Sequence, residues 1–331
     1  MSLNWSRHFE LQLLDKDGGG IVLSGFKVTF TVNWRSGSAP KTADVTIYNL
    51  SSETLNRITQ NNEFAKIRLI AGYNGLMPVV SADEVGKVRE VTQEEWGQRD
   101  GQNFGLIFSG DIRITIAGWE ANTPDSSLLI QAVDGHEALT SAVVSETLAK
   151  GYKVEDLYNR VLTSLAKYQI VGGKKPPFPT TVFPRGYTLH GKASLYLDQI
   201  GKLCNASWKL VDDRLDYYSN SEEKSEPIRL NGNNGLIGRP QTTTGSGVNI
   251  CCLINPNIVL NGRVQLEQSQ VYRASATADG DKLPSWTPVA TDGIYQVYGI
   301  TYSGDTRAQD WYMKLSCWIP GTKPAEKKTA S

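Results

Sequence analysis

The sequence has no excess of either charge: 34 Lys and Arg stand against 34 Asp and Glu, a formal net charge of zero. A protein that wraps nucleic acid through a basic surface is thereby excluded, and charge implies no partner. Long hydrophobic runs are also missing. The longest, Ser127 to Val133 and Ile250 to Ile254, fall well short of the roughly 20 residues that cross a bilayer, so no membrane insertion is expected. Met1 to Arg7 lacks the basic start, apolar middle and small-residue cleavage site of a secretory signal, which points to synthesis and folding in a cytosol. Cysteine is scarce and unpatterned: Cys204, Cys251, Cys252 and Cys317 show no C-x-x-C spacing. Adjacent Cys251 and Cys252 on a strand point to opposite faces and suit one metal poorly, so all four read as small apolar side chains rather than a disulfide framework or a zinc set. The histidines, His8, His136 and His190, are isolated. There is no G-x-S-x-G elbow, no H-E-x-x-H and no Walker loop. The glycines of 232–238 have the wrong spacing for a dinucleotide loop and read as a plain loop. Asp15 to Gly20 opens like a calcium loop but lacks the later acidic ligand, and reads as a tight turn. No enzyme, cofactor or metal is expected.

What is there is β patterning. Ala43, Val45, Ile47 and Leu50 alternate with Asp44, Thr46 and Asn49, as in a strand with one wet face. Ser51 or Ser52 then caps a short helix with Leu55 and Ile58 on its apolar side, and a second strand over 67–71 ends at Gly72-Tyr73-Asn74-Gly75. Further strands are predicted over 9–14, 25–32, 106–116 and 128–133, with turn formers between them. The polar stretch 79–103 interrupts the pattern and reads as a surface insertion.

Near Ala142 the period changes. Val154, Leu157, Tyr158, Val161, Leu165 and Tyr168 predict an amphipathic helix over 153–168. A second helix is predicted with Ser194 as cap and Leu197, Ile200, Leu203 and Cys204 inside. The glycines and prolines of 172–179 separate the two. Trp208 and Leu210, then Leu215 and Tyr217, flank Asp212-Asp213-Arg214 as a hairpin closing a small α/β unit. Strand patterns then return: Val248, Ile250, Cys252 and Ile254 up to Asn255-Pro256, a hairpin turn at Asn261-Gly262, and a long pair over 294–302 and 311–319. That pair carries Tyr295, Tyr298, Tyr302, Trp311 and Trp318, enough to be covered on both sides. Asp305 and Arg307 read as an ion pair fixing its turn. The organisation is therefore 1–140, a first β-barrel domain with an insertion near 79–103; 141–225, a small α/β domain; 226–320, a second β-barrel domain; and 321–331, a disordered tail.

Ile47-Tyr48-Asn49-Leu50-Ser51 leading to Ala71-Gly72-Tyr73 resembles the baseplate hub proteins of bacteriophage tails, including the late-control-type hubs of contractile tails. The resemblance continues through Phe108 to Ile112 with Gly110, and through Leu128 to Gly135 with Asp134. It runs on through Gly235 to Pro240 with Gly238, Leu253 to Pro256 with Asn255, and Tyr295 to Val297 followed by Gly304, Asp305, Arg307 and Trp311. It implies a mainly β fold with two tail-tube-like barrels linked by a small α/β domain, three copies forming a ring. Such a trimer adapts a hexameric tail tube or tube initiator to a trimeric central spike, contacts other baseplate proteins and lets DNA pass through its channel. The location implied is the virion tail, assembled in the host cytoplasm. No repetitive segment follows the last barrel, so the spike is expected as a separate polypeptide. A peptidoglycan-degrading tail enzyme and a carbohydrate-binding tail-tip protein stay open as alternatives.

Overall fold

A computed structural model describes residues 6–16, 18–36, 39–60, 63–74, 103–119, 124–219, 226–243, 247–267, 275–276, 285–286 and 292–320. The expected insertion up to residue 102 and the expected tail after Pro320 lie outside these.

The chain begins with strands β1 (Arg7–Leu14), β2 (Gly20–Leu23), β3 (Val28–Arg35) and β4 (Thr42–Tyr48), helix α1 (Ser52–Thr59), and strands β5 (Lys66–Tyr73), β6 (Asn103–Trp119) and β7 (Ser126–Val133). A mixed stretch follows: α2 (His136–Ser141), β8 (Val143–Leu148), α3 (Val154–Ala166), β9 (Val171–Gly172), β10 (Tyr187–Lys192), α4 (Ala193–Cys204), β11 (Ala206–Val211) and β12 (Arg214–Ser219). The last third is β13 (Ile228–Leu230), β14 (Leu236–Thr242), β15 (Gly247–Cys252), β16 (Arg263–Leu266), β17 (Ser275–Ala276), β18 (Ser285–Trp286), β19 (Ile294–Asp305) and β20 (Trp311–Trp318). The fold is mainly β with a small α/β portion, as the sequence implies. Closure into barrels is not seen among the described strands. Instead 13 strands share one sheet, whose path runs β14-β15-β20-β19-β3-β4-β7-β6-β5-β1-β2.

The join is β19 against β3, which places Tyr302 opposite Val32 and Ser303 opposite Thr31. Alternation makes this join productive, because successive residues face opposite sides of a sheet. Phe30, Val32, Val45, Ile47, Ile130, Tyr302, Trp311 and Met313 all fall on the inner face and are buried in one core with Leu11, Leu69 and Ile250. α1 follows β4 because Asn49 takes φ 56°, ending the strand, and Ser51 Oγ accepts the Thr54 N–H at 3.2 Å, so Ser51 is the cap.

A second core is built from the mixed stretch. Val154, Leu157, Tyr158, Val161 and Leu165 of α3 pack against Tyr196, Leu197 and Ile200 of α4 and Leu215 and Tyr217 of β12. Four sequence readings need correction here and in the last third. α4 starts at Ala193, one residue before the expected cap Ser194: Gly191 makes the bend and the Ala193 N–H bonds Ala142 O at 2.9 Å, doing a cap's work. Leu203 is 41% exposed, because the buried stripe runs 193, 196–197, 200–201 and 204. Asn261-Gly262 turns the chain, with Asn261 at φ 61°, yet the strands flanking it do not pair: β15 lies between β14 and β20, while β16 pairs β13 and β19. The glycine-rich loop ends early, since Leu236 to Gly238 already belong to β14.

Candidate functional site

The residues singled out in the sequence converge at two places. The first sutures the front of the chain to its end. The Trp311 indole N–H donates to Gly72 O at 3.3 Å, and the Tyr73 hydroxyl donates to Trp311 O at 3.4 Å. Phe30 and Phe9 meet the indole edge-on, with centroids 5.4 and 6.0 Å away, and Arg7 lies 5.5 Å over it. Gly304 is required because a Cβ there would come 2.4 Å from the Phe30 ring. Pro256 reaches across to the backbone of Gly105, and the Asn255 N–H points at the Met313 sulfur at 3.3 Å. Burial pushes the Tyr73 hydroxyl up to about 12.

The second convergence is electrostatic. Asp212 and Asp213 both lie at positive φ (51° and 64°) in the two-residue turn between β11 and β12, as a type I′ hairpin demands. That turn is thrust against the outer end of the large sheet. Lys41 Nζ donates to both Asp212 oxygens at 2.9 Å, and the Ser109 N–H donates to Asp212 Oδ1 at 2.9 Å. Asp213 accepts from Lys66 Nζ and Ser109 Oγ, each at 2.5 Å, and from Arg68 at 3.3 Å. Burial alone would raise the Asp213 carboxyl, but Lys66, Ser109 and Arg68 together hold it below its ordinary value. Beside the turn, Asp134 is fully buried: its Oδ2 accepts the Asp212 N–H at 2.7 Å, and its Oδ1 has no partner. Burial first, and the Asp212 carboxylate second, push Asp134 well above the carboxylate range. Gly110 and Gly135 make room here, since a Cβ would meet Asp134 N at 2.9 Å in one case and Leu210 Cδ1 at 2.6 Å in the other.

The remaining predicted residues join neither cluster. Tyr48, Asn49 and Leu50 close β4, where Asn49 ties to Asp125 and Ser126, Lys27 covers the Tyr48 ring at 4.2 Å and Leu50 packs on the core. Gly238 is exposed at φ 68° in the irregular β14–β15 pairing. Asp305 and Arg307 hold their turn without the expected ion pair. Asp305 accepts the N–H groups of Arg307 and Ala308, while the Arg307 guanidinium donates to Gly25 O. Sequence reasoning missed Lys41, Lys66, Arg68 and Ser109. Their only local signal is a pair of acidic residues at turn positions that both need positive φ.

The sheet's outer face is the largest continuous feature of the fold. One row across it reads Tyr312, Ser303, Thr31, Asp44, Gln131, Ile114, and the next Thr29, Thr46, Leu129, Ile116. Hydroxyl and amide groups dominate, and they pair with one another: Thr301 donates to Asn33 at 3.0 Å and Gln131 to Asp44 at 2.9 Å. Beyond them on β6, Ile114 and Ile116 are exposed, as is Trp119 on the other face near the strand's end, by 76%.

Chemistry has little to work with. Among the described residues no three His, Cys, Asp or Glu side chains converge on a metal position. His8 stacks on Phe104 at 3.8 Å and pairs with Asn74 and Glu10. His136 opens α2, and His190 sits in β10 with its N–H bonded to the Tyr196 hydroxyl. No helix among the described residues is long and apolar enough to cross a membrane.

A 13-stranded sheet drawn from both the first and last thirds, with an inserted α/β unit, is a fold also found in phage tail proteins. The 43 kDa tail protein of prophage MuSo2 from Shewanella oneidensis matches with a TM-score of 0.53 at 8% identity, over 95% of this chain and 99% of that one. A tail protein from Neisseria meningitidis MC58 matches with a TM-score of 0.53 at 9% identity, over 96% and 98%. A chain of the Francisella PdpA-VgrG complex matches with a TM-score of 0.52 at 6% identity; all of this chain covers 61% of that one. No protein-family model and no curated protein sequence matches. The resemblance to baseplate hub proteins read from the sequence is thus borne out in the fold.

Proposed function

We propose that this chain is a structural hub of a phage or prophage tail: three copies form a ring that adapts a hexameric tube to a trimeric spike and lets DNA pass. The observation that carries this reading is the outer sheet face, where threonine, serine, asparagine and glutamine predominate and the scattered charges, among them Asp44 and Lys314, are of both signs. Such a face offers DNA phosphates neither a cationic grip nor a strong repulsion, which suits a conduit. Matches of fold along the full length of two tail proteins support the assignment to a tail.

Ring formation would also cover what a lone copy leaves bare. Ile114 and Ile116 are exposed on the outer face of β6 and Trp119 on its other face near the strand's end, and Tyr298 stacks on Trp318 at 4.7 Å outside the core. Sister copies would bury these side chains in an interface of the size obligate assemblies use, on the order of 2,000 Å² or more. Small-molecule turnover has no part in this role; interfaces with the tube, the spike and other baseplate proteins carry it. The partner spike and the location in the virion tail belong to the same proposal.

Light scattering across a concentration series, followed by electron microscopy of the purified protein, provides the test. A threefold ring with a central opening supports the hub. A monomer at every concentration that stays monomeric when mixed with its tail partners, or tight salt-dependent DNA binding, counts against it.

A further inference from the structure

The Asp212–Asp213 turn connects two bodies that otherwise share little. The large sheet has its own core, and the 136–219 stretch has another; from the hairpin only Val211 enters the sheet's core among the described residues. The contacts between the bodies are instead polar and concentrated. They are Lys41 and the Ser109 N–H with Asp212, Lys66, Arg68 and the Ser109 hydroxyl with Asp213, Asp134 with the Asp212 N–H, and Lys66 also with Tyr168 O at 3.4 Å. Around them lie Lys209 on Arg35 O, Glu137 N–H on Asp111 and Gln169 on Lys16 O. Lys41 is 2% exposed and Lys66 7%, so withdrawing the turn would leave two desolvated ammonium groups without their anions until water replaced it.

We propose that the Asp212–Asp213 turn is a releasable latch: when it withdraws from Lys41, Lys66, Arg68 and Ser109 of the large sheet, the 136–219 body swings away while both hydrophobic cores stay folded. This is independent of the hub reading. The latch has its own control point in Asp134. Asp212 is paired with Lys41, and Asp213 with Lys66 and Arg68, whereas Asp134 is in no ion pair: Lys41 is committed to Asp212, and Lys209 donates to Arg35 O. The groups facing Asp134 are Lys41 before β4, Lys209 on β11, and Asp212 and Asp213 in the turn, with Lys66 and Arg68 of β5, Asp111 of β6 and Glu137 of α2 at the margin. A negative Asp134 would sit buried beside the Asp212 carboxylate, with Lys41 and Lys209 both bonded elsewhere, so a neutral carboxyl favours closure.

The sign follows from linkage. A carboxyl raised in the closed form binds a proton on closure that the open form lacks, so closure weakens as pH rises from the ordinary carboxylate range toward the raised value. Asp213 works oppositely and weakens the latch only in acid, where it would have to protonate.

The test uses hydrogen exchange on the full chain, with small-angle scattering alongside. Asp212→Asn with Asp213→Gly keeps a turn sequence that favours type I′ geometry while deleting both charges. The amides of Ser109 and Asp212 should then exchange roughly a hundredfold faster and the radius of gyration should grow, with the amides inside α3, β19 and β20 unchanged. In the unmodified chain, opening at those two amides should rise with pH, and Asp134→Asn should flatten that rise while keeping the acceptor for the Asp212 N–H. Unchanged protection in the double variant overturns the latch. So does loss of protection in α3 and β19 together, since the two bodies would then be one unit. A pH profile identical in Asp134→Asn removes Asp134 as the control.

Discussion

Trp311→Ala tests whether the first and last thirds share one structural unit. The indole is 3% exposed, packs edge-on against Phe30 and Phe9, and donates to Gly72 O, a carbonyl on a strand more than two hundred residues earlier. Truncating a buried tryptophan removes its transfer free energy and leaves a cavity between β1, β3 and β20, a cost of about 3–5 kcal/mol. Leaving Gly72 O without its donor adds about 1 kcal/mol. Trp311→Phe restores most of the volume and isolates the hydrogen bond, so its cost should be about 1–2 kcal/mol. Denaturant titration gives the totals, and hydrogen exchange gives the location. Because Trp311 packs on the stacked Phe9–Phe30 pair and bonds Gly72 O, protection should fall on β1 and β5 as well as on β19 and β20. A loss under about 1 kcal/mol for the alanine variant, or deprotection confined to residues 294–318, would refute the shared core.

Other outcomes follow from single contacts. Gly304→Ala forces a methyl to 2.4 Å from the Phe30 ring and should cost about 1–3 kcal/mol by thermal melting, whereas Gly118→Ala, with open space around it, should be nearly silent. Tyr73, held up to about 12 by burial, should stay un-ionised in an alkaline absorbance titration until the fold opens, so its step should coincide with unfolding. Burial raises the thiols of Cys252 and Cys317, so both should resist a thiol reagent in the native protein, while the partly exposed Cys251 reacts first; mass spectrometry of the tagged peptides reads the order. Thr31→Lys with Thr46→Lys places cations on the outer sheet face and should change stability by less than about 0.5 kcal/mol. If that face lines a DNA conduit, assembled particles carrying the pair should eject DNA more slowly and with greater salt dependence.

Strands that alternate cleanly were legible from the sequence. Val28 to Trp34 and Thr42 to Tyr48 put every second side chain in the core, and no other register hides those residues. The α3 stripe was legible for the same reason, at a period of 3.6. Ser194 misled because its chemistry is that of a cap, while the helix already begins at Ala193, whose N–H is met by Ala142 O, a carbonyl that no local pattern reveals. The Asn261-Gly262 turn misled in a related way: the dipeptide fixes a backbone bend, but which strands then pair depends on the chain leaving β15 at Cys252 and crossing, past Asn255-Pro256, to pair β16 with β19.

The latch was illegible for a deeper reason. A buried ion pair needs two residues whose sequence separation carries no information; Lys41 and Asp212 are 171 apart, and Lys66 and Asp213 are 147 apart. Taken singly, each lysine precedes or opens a strand and each aspartate sits in a turn, the places where a solvated charge is the ordinary reading. Only the topology, which lays the β11–β12 turn against β5 and β6, converts four surface-like residues into a nearly dry cluster. Gly110, Asp134 and Gly135 were singled out from the sequence without a stated purpose, and their place beside that turn supplies one. Gly110 lets the backbone of Asp134 approach and Gly135 leaves room for Leu210 of β11, and the aspartate receives the N–H of the first turn residue. Removing the side-chain hydroxyl of Ser109 should therefore be felt at Asp213 although the two lie on different bodies. Ser109→Ala should raise the Asp213 carboxyl toward its ordinary value and move the acid limit of latch closure to higher pH, read by exchange at the Asp212 amide.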